Sequence, residues 1–377
     1  MKQILVYILL IFIANYGFAS ELMSDAEAGA LNGFVKDAKS KETLIGASIL
    51  IEGTKYGGKT NKNGYFTISS IPPGEYSVSI SYIGYEKLQA KVKITKGVAL
   101  RKDFEIKAGG VVTEGISVSA EREVEKRQIS ISKVNIPVEQ IKEIRIGGES
   151  DVFRTLQYLP GVLTSSQVSS GLYIRGGSPD QNLVLLDVST VYNPTHLFGF
   201  ISSFNTDAIK DVELVKGGFD AEFGGRMSAV LNLTQKDGSR DEFGGVASLG
   251  AISSRLSLEG PIGNGSYFIG GRRTYLDLIL GVLPEDPETP FPDFSFYDIN
   301  AKVTQDLGPD DKISASAFFS TDDLEFSSFG LDILLKLGNQ LGALKWTHIF
   351  NEHFFGTFNF SYSQYFNNIY GDQSGYQ

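Results

Sequence analysis

The chain has no cysteine. That excludes disulfides, thiolate metal sites and a lipid-bearing cysteine at a processed N-terminus. Beyond the first residues no run of 18 consecutive apolar residues occurs, so any later membrane-spanning part has to be a β-barrel. Catalytic signatures are also missing. There is no G-x-S-x-G, and the stretch 129–237 contains a single histidine, His196. What is plentiful is glycine, at 42 of 377 residues, with 26 Phe and 17 Tyr. Glycine together with Phe and Tyr suits a β-rich protein with tight turns, and aromatics also suit a membrane interface. The length allows two or three domains. Charge is uneven: residues 31–107 hold 13 basic against 7 acidic residues, whereas the whole chain carries −10. A basic module, read as a solvated basic face, precedes an acidic body.

The N-terminus reads as a secretory signal peptide, residues 1–19. Met1-Lys2-Gln3 is a short basic start, "ILVYILLIFIA" is an apolar run, and "GFAS" supplies small residues before a cut after Ala19. Residues 31–107 then alternate apolar and polar positions in short runs, with Tyr76, Val78, Ile80 and Tyr82 on one face. Asn63-Gly64 predicts a hairpin and Pro72-Pro73-Gly74 a turn, so a small antiparallel sandwich is expected. "GTKYGGKT", residues 53–60, fits the phosphate-binding G-x-x-x-x-G-K-[ST] with Gly53, Gly58, Lys59 and Thr60. Such a loop needs a helix after it, and "NKNGYFTIS" predicts a turn and another strand. The match is a coincidence of two turns.

The same residues carry a resemblance. G-x-V-x-D at 33–37, G-A-x-x-x-I-x-G-T at 46–54, N-x-x-G-x-F-x-I and P-x-G-x-Y together resemble the carboxypeptidase regulatory-like domain, a transthyretin-like sandwich. The resemblance implies a binding or spacer module. Residues 108–128 form a linker in which Ile116-Ser117-Val118-Ser119 alternate as a short strand. An isolated extended segment can add itself to the edge of another protein's sheet.

Residues 129–237 are rich in glycine turns. "SDVFRTLQYLPGV" (150–162) predicts an amphipathic helix stopped by Pro160-Gly161. Two apolar strands flank the turn in 172–194. A short helix, a strand, a Gly-rich turn and a last strand fill 207–238. "LPGV", "IRGG" (Arg175, Gly176, Gly177), "LVLLD" ending at Asp187, "VYNP", "IKDVELVKGG" (Lys216, Gly217, Gly218), "AEFGGR" (Gly224, Gly225, Arg226) and "VLNLT" follow in order. This series is similar to the plug domain of TonB-dependent outer-membrane receptors. The resemblance implies a TonB box just before the plug, and Glu114, Gly115, Ile116, Ser117, Val118, Ser119 and Ala120 occupy that place. It also implies plug arginines paired with barrel glutamates, with Arg175 and Arg226 as candidates. Two departures stand out. Asp187-Val188 replaces the Asp-Gly of many relatives, and the Ser-rich lead into the IRG strand that marks starch-utilisation receptors is missing.

Residues 241–377 read as an antiparallel transmembrane barrel. In 312–320, Ile313, Ala315, Ala317 and Phe319 oppose Ser314, Ser316 and Ser320; in 353–365, Phe354, Phe358, Phe360 and Tyr362 oppose Thr357, Asn359, Ser361 and Ser363. Tight turns at Gly263-Asn264-Gly265, Gly308–Asp311 and Asn351-Glu352 alternate with longer segments near 281–295 and 322–337. About seven strands fit, fewer than the ~22 of a plugged transporter barrel, so an N-terminal portion of a receptor is expected. His348, Glu352 and His353 miss the H-x-x-E-H spacing by one residue, and neither a metal nor a cofactor nor a catalytic residue is assigned. The fold class is therefore mainly β: sandwich, α/β plug, and the first strands of a barrel. The resemblance implies energy-coupled uptake of a siderophore, vitamin, saccharide or peptide, with TonB, its inner-membrane energising complex and outer-membrane lipids as partners and no nucleic acid. The alternative is an exported binding protein built from a receptor remnant, without transport.

Overall fold

The computed structural model describes residues 28–109, 133–146, 149–166, 170–196, 199–250, 252–275, 277, 293–328, 331–351 and 354–373. The expected signal peptide and the Glu114–Ala120 segment lie outside them. The chain divides into two compact units, Met1–Ala38 with Thr43–Arg127, and Gln128–Gln377 with the short segment Lys39–Glu42.

The first unit is a sandwich of eight strands: β1 (Gly29–Asp37), β2 (Ser48–Ile51), β3 (Gly57–Lys59), β4 (Tyr65–Ile71), β5 (Gly74–Ser81), β6 (Leu88–Ile94), β7 (Ala99–Arg101) and β8 (Phe104–Ile106). One sheet has the order β3-β2-β5-β6, and the other sets β1 between β4 and β7, with β8 also on β1. Alternation buries Val78 and Ile80 with Leu31, Val35, Ile49 and Phe66, while Tyr76 and Tyr82 pack at the margin. Two expectations are corrected. The sandwich is not purely antiparallel, because β7 and β8 pair with β1 in parallel. Nor does Asn63-Gly64 close a hairpin, since β3 and β4 belong to different sheets. The turn is built by Asn61, whose Oδ1 accepts from Asn63 N (2.9 Å) and Tyr65 N (3.1 Å), and it carries the chain from one sheet to the other. Gly64, at φ +75°, is required there: a Cβ would stand 2.4 Å from Thr43 Cβ. The phosphate-loop lookalike is spent on packing. Thr60 Oγ1 donates to Leu44 O (2.6 Å) and accepts from Ala47 N (2.8 Å), and its neighbours lead into β4.

The second unit opens with the plug. Its sheet runs β11-β10-β13-β12-β9, from β9 (Lys133–Pro137), β10 (Leu183–Leu186), β11 (Ser189–Thr190), β12 (Ile209–Val215) and β13 (Val230–Gln235). Ile136, Val184, Leu186, Val212, Leu214, Leu231 and Leu233 bury one face with helices α1 (Val138–Glu143) and α2 (Val152–Leu156). The helix expected over 150–162 covers only α2 and is not amphipathic, because all five of its residues are buried. Asp151 caps it, with Oδ1 accepting from Arg154 N at 2.8 Å. Tight Tyr158 N→Thr155 O and Leu159 N→Leu156 O bonds end it before Pro160. The short helix expected before β12 is a turn: Asn205 Oδ1 accepts from Asp207 N (3.0 Å), which competes with helix geometry.

Seven antiparallel strands follow in sequence order as one sheet, here the wall: β14 (Gly244–Leu249), β15 (Ser253–Ile262), β16 (Gly265–Thr274), β17 (Asp293–Asp306), β18 (Asp311–Ser328), β19 (Leu331–Asn351) and β20 (Phe354–Gln373). The count matches the seven expected. The longer segment expected at 322–337 is instead the paired ends of β18 and β19, in register as far as Ser328↔Leu331. Within it Asp323 meets Lys336 across the pair (3.1 Å) and Asp322 turns inward. Polarity is inverted relative to a water-soluble sheet. Leu256, Leu258, Ile269, Ile299, Leu344 and Phe360 are exposed, whereas Arg272, Asp298, Lys302, Thr304, Ser320 and Asn339 are buried. Aromatics gather on the outer face at two levels. Tyr297, Phe319 and Phe366 stack at 5.7 and 6.3 Å, while Trp346 stacks on Phe358 at 5.0 Å nearer the tight turns. His348 Nδ1 and Trp346 Nε1 share Asp311 Oδ1 at 2.7 and 2.8 Å.

Candidate functional site: the plug–wall interface

The plug core continues into the wall through Phe318 and Leu341, with Phe204 and Phe318 ring centroids 6.2 Å apart. Around that apolar seam lie polar clusters built from inward positions of the wall strands and from plug turns.

The first centres on His196. Its Nε2 is 2.7 Å from Asp298 Oδ1 on β17, and its Nδ1 bonds Asp322 Oδ1 on β18. The ring stacks on Phe296 at 4.2 Å and 11°, and the Arg272 guanidinium lies 5.1 Å from the same phenyl centroid. Arg272 Nε donates to Asp298 Oδ2 (2.7 Å), and its Nη2 crosses to Ser202 O in the plug (2.7 Å). Carboxylates only accept, and neutral imidazole has one N–H, so both contacts together need the imidazolium. Burial opposes that charge, but Asp298 and Asp322 outweigh it and raise the His196 pKa from 6.5 to about 9. Beside this cluster Asn339 Nδ2 donates to Asn193 O (2.7 Å) and its Oδ1 accepts from Asn193 N (3.1 Å), as a strand partner would.

A second cluster centres on Lys302 of β17. Its Nζ donates to Gln235 O (2.8 Å) and lies 3.3 Å from Asp187 Oδ2 and 3.1 Å from Asp237 Oδ1. Lys312 approaches Asp237 at 3.7 Å and Lys210 at 3.0 Å. Burial alone would raise the Asp237 pKa, but Lys210 and Lys302 hold it well below the usual carboxylate range. A third contact joins Arg255 of β15 to Thr206 Oγ1 (2.9 Å) and Asp207 (3.5 Å).

Of the residues singled out in the sequence, Asp187 belongs to this interface. It and Val188 form the two-residue turn between β10 and β11, both at positive φ (45° and 72°). The other plug motifs meet at the opposite end of the sheet. Lys216 Nζ donates to Pro160 O (2.9 Å), Arg175 N to Gly161 O (3.1 Å), and Ser228 Oγ to Ile174 O (2.9 Å). Gly177 is needed for that closeness, since a Cβ would sit 2.3 Å from Ser228 Oγ. Gly176, Gly217, Gly218 and Gly225 turn this end at positive φ, next to Gly224. Of the two arginines singled out for pairing with wall glutamates, Arg175 is exposed and Arg226 donates to Gly225 O (2.9 Å). Lys302, Lys312 and Arg255 of the wall meet plug carboxylates, while His196 of the plug meets two wall carboxylates. Sequence reasoning noted His196 only as the single histidine of 129–237 and passed over Asp298, Asp322, Lys302, Asn339 and Arg272. The available signal was charge and amide at inward positions in mid-strand.

The family model of the CarboxypepD_reg-like domain matches residues 31–118, and that of the TonB-dependent receptor plug domain matches residues 125–230. The TonB-dependent transporter Oar of Myxococcus xanthus is 23% identical over 233 residues, which are 59% of this chain and 22% of Oar. The TonB-dependent receptor SusC of Bacteroides thetaiotaomicron is 25% identical over 263 residues, 67% of this chain and 25% of SusC. The chain thus spans about a quarter of the length of these curated relatives. Among solved structures, the siderophore receptor PirA from Pseudomonas aeruginosa superposes with a TM-score of 0.46 at 17% identity, covering 63% of this chain and 41% of PirA. The chain therefore carries, in order, a CarboxypepD_reg-like domain, a TonB-dependent receptor plug domain and a sheet of seven antiparallel strands.

Proposed function

We propose that the protein takes part in energy-coupled uptake of a scarce ligand across the outer membrane into the periplasm, the ligand being of the siderophore, vitamin, saccharide or peptide class. The observation that carries this reading is the plug seated on the lumenal face of a wall whose outer face is apolar. Export by the signal peptide puts the wall in the outer membrane, in contact with its lipids, and the N-terminal sandwich in the periplasm. Glu114–Ala120 is the TonB box. TonB, driven by the inner-membrane energising complex, adds to this segment as a strand and pulls, and the plug leaves the wall. The work is binding and displacement, with no covalent step. The ionic clusters suit a removable stopper: charge pairs hold one register and leave two hydrated polar surfaces when they part.

The test is a photo-crosslinking residue in place of Ile116 or Val118 in the full gene product, in its own cells. Capture of TonB, increased by growth conditions that demand uptake, is the expected result. A segment that crosslinks to nothing under any condition contradicts the assignment of the TonB box.

A further inference from the structure

We propose that His196 is a proton-linked positioning residue: its imidazolium pins the plug segment 191–196 to two adjacent wall strands, and the plug gives up that proton when it leaves. The proposal rests on the reading that the plug comes away from the wall. It goes beyond that reading by tying the movement to solution pH through one side chain.

The geometry carries it. Asp298 and Asp322 sit on β17 and β18, which pair with each other, and each offers an oxygen to a different nitrogen of the same ring. A neutral ring would leave one carboxylate facing a nitrogen lone pair in a buried site. Other charged groups around the ring do not relieve this. Arg272 on β16 is committed to the far oxygen of Asp298 and to Ser202 O. Glu149 (3.9 Å) and Asp151 face Arg272 and not the ring. Arg154 on α2 donates to Phe200 O (3.1 Å). Tyr365 on β20 stands near Asp322. The clasp is therefore a cation supplied by the plug to two anions of the wall.

Once withdrawn into water, the imidazole returns to its ordinary pKa of about 6.5. Docked, it holds its proton to about pH 9. The sign follows from the raised value in the docked state. The clasp is at full strength below pH 6.5 and is lost as pH rises through 9. Between those limits the opening equilibrium climbs about tenfold per pH unit, roughly 300-fold in all.

Residues 1–377 contain no cysteine, and any cysteine elsewhere in the full gene product is first replaced by serine. Ser203 of the plug is buried, and its Oγ makes no hydrogen bond, so Ser203→Cys is a conservative probe. The rate of thiol labelling is followed from pH 6.5 to 9 on the full gene product in detergent, without TonB, relative to an unfolded control that corrects for thiolate formation. The expected result is a rise approaching tenfold per pH unit, abolished in His196→Gln. Asp322→Asn needs only one donor from the ring and reduces the slope. Should the glutamine variant not fold, NMR of the labelled histidines serves in the parent: the imidazole of His196 stays doubly protonated until near pH 9. An unchanged slope in His196→Gln, or titration of the His196 imidazole near 6.5, overturns the proposal. Because TonB is absent from the assay, failure here is separate from failure of the uptake reading.

Discussion

Lys302→Met addresses how firmly the plug is held. Lys302 Nζ is buried among Gln235 O at 2.8 Å, Asp237 Oδ1 at 3.1 Å and Asp187 Oδ2 at 3.3 Å. Methionine keeps the length of the side chain and removes three interactions at once. Asp187 is left with the Gln235 amide (3.1 Å) and the more distant charge of Lys345, while Asp237 keeps Lys210 at 3.0 Å and Lys312 at 3.7 Å. Breaking a buried pair costs about 3–5 kcal/mol because a desolvated charge is stranded. Since Asp237 retains two cations, the low end of that range applies, about 3 kcal/mol. Hydrogen exchange of the amides in β12 and β13 is the assay. At ~1.4 kcal/mol per tenfold, protection in the plug sheet falls about 100-fold, while the wall hairpin β18–β19 changes little. Adding Asp187→Asn to Lys302→Met returns a substantial part of the loss, because one stranded charge is gone. Exchange in the plug within about threefold of the parent would refute the claim that this ammonium holds the plug.

Asn339→Leu leaves the Asn193 N–H and C=O without partners and weakens docking of the plug segment 191–196 by about 2–4 kcal/mol, readable as faster exchange at Asn193. Asp211 lies buried on β12, and burial, only partly countered by Lys210 and Lys133, raises its pKa from 3.8 to about 6. The neutral form is favoured, so its contribution is full below pH 4 and lost as pH rises through 6. Asp211→Asn therefore stabilises the plug at pH 7 by up to about 3 kcal/mol and has little effect at pH 4, a difference that denaturation at the two pH values detects. Val188 is β-branched at φ +72°, a conformation costing about 1–2 kcal/mol. Val188→Gly relieves it and returns part through chain entropy, for a net gain of about 0.5–1 kcal/mol by thermal melting.

Much of the architecture was legible in the chain. Alternation in 312–320 and 353–365 gave wall strands with the expected faces, and the turns at 263–264 and 307–310 lie between strands as read. The errors came where local chemistry was shared by two outcomes. Asn63-Gly64 makes the same turn whether it closes a hairpin or crosses between sheets, and only long-range pairing decides. The segment 322–337 was expected as a longer connection, yet Asp323 and Asp322 find their partners Lys336 and His196 at 13 and 126 residues' distance, which local sequence does not show. The interface was hidden for the same reason. Single inward charges such as Asp298 and Lys302 are visible in an alternating strand, but which plug turn meets each of them depends on how the plug seats. The glycine motifs, by contrast, reported a local need for positive φ and close approach, and they gathered at one end of the sheet.

The most direct test of the account is whether the plug leaves the wall only when energy is supplied. Ser203→Cys is labelled with a membrane-impermeant thiol reagent in intact cells making the full gene product, with the proton gradient intact or collapsed, and with residues 114–120 present or deleted. The account predicts labelling of the gradient-energised, intact protein well above that of the other three combinations. Equal labelling in all four would contradict it, because the plug would then open, or stay shut, without regard to TonB.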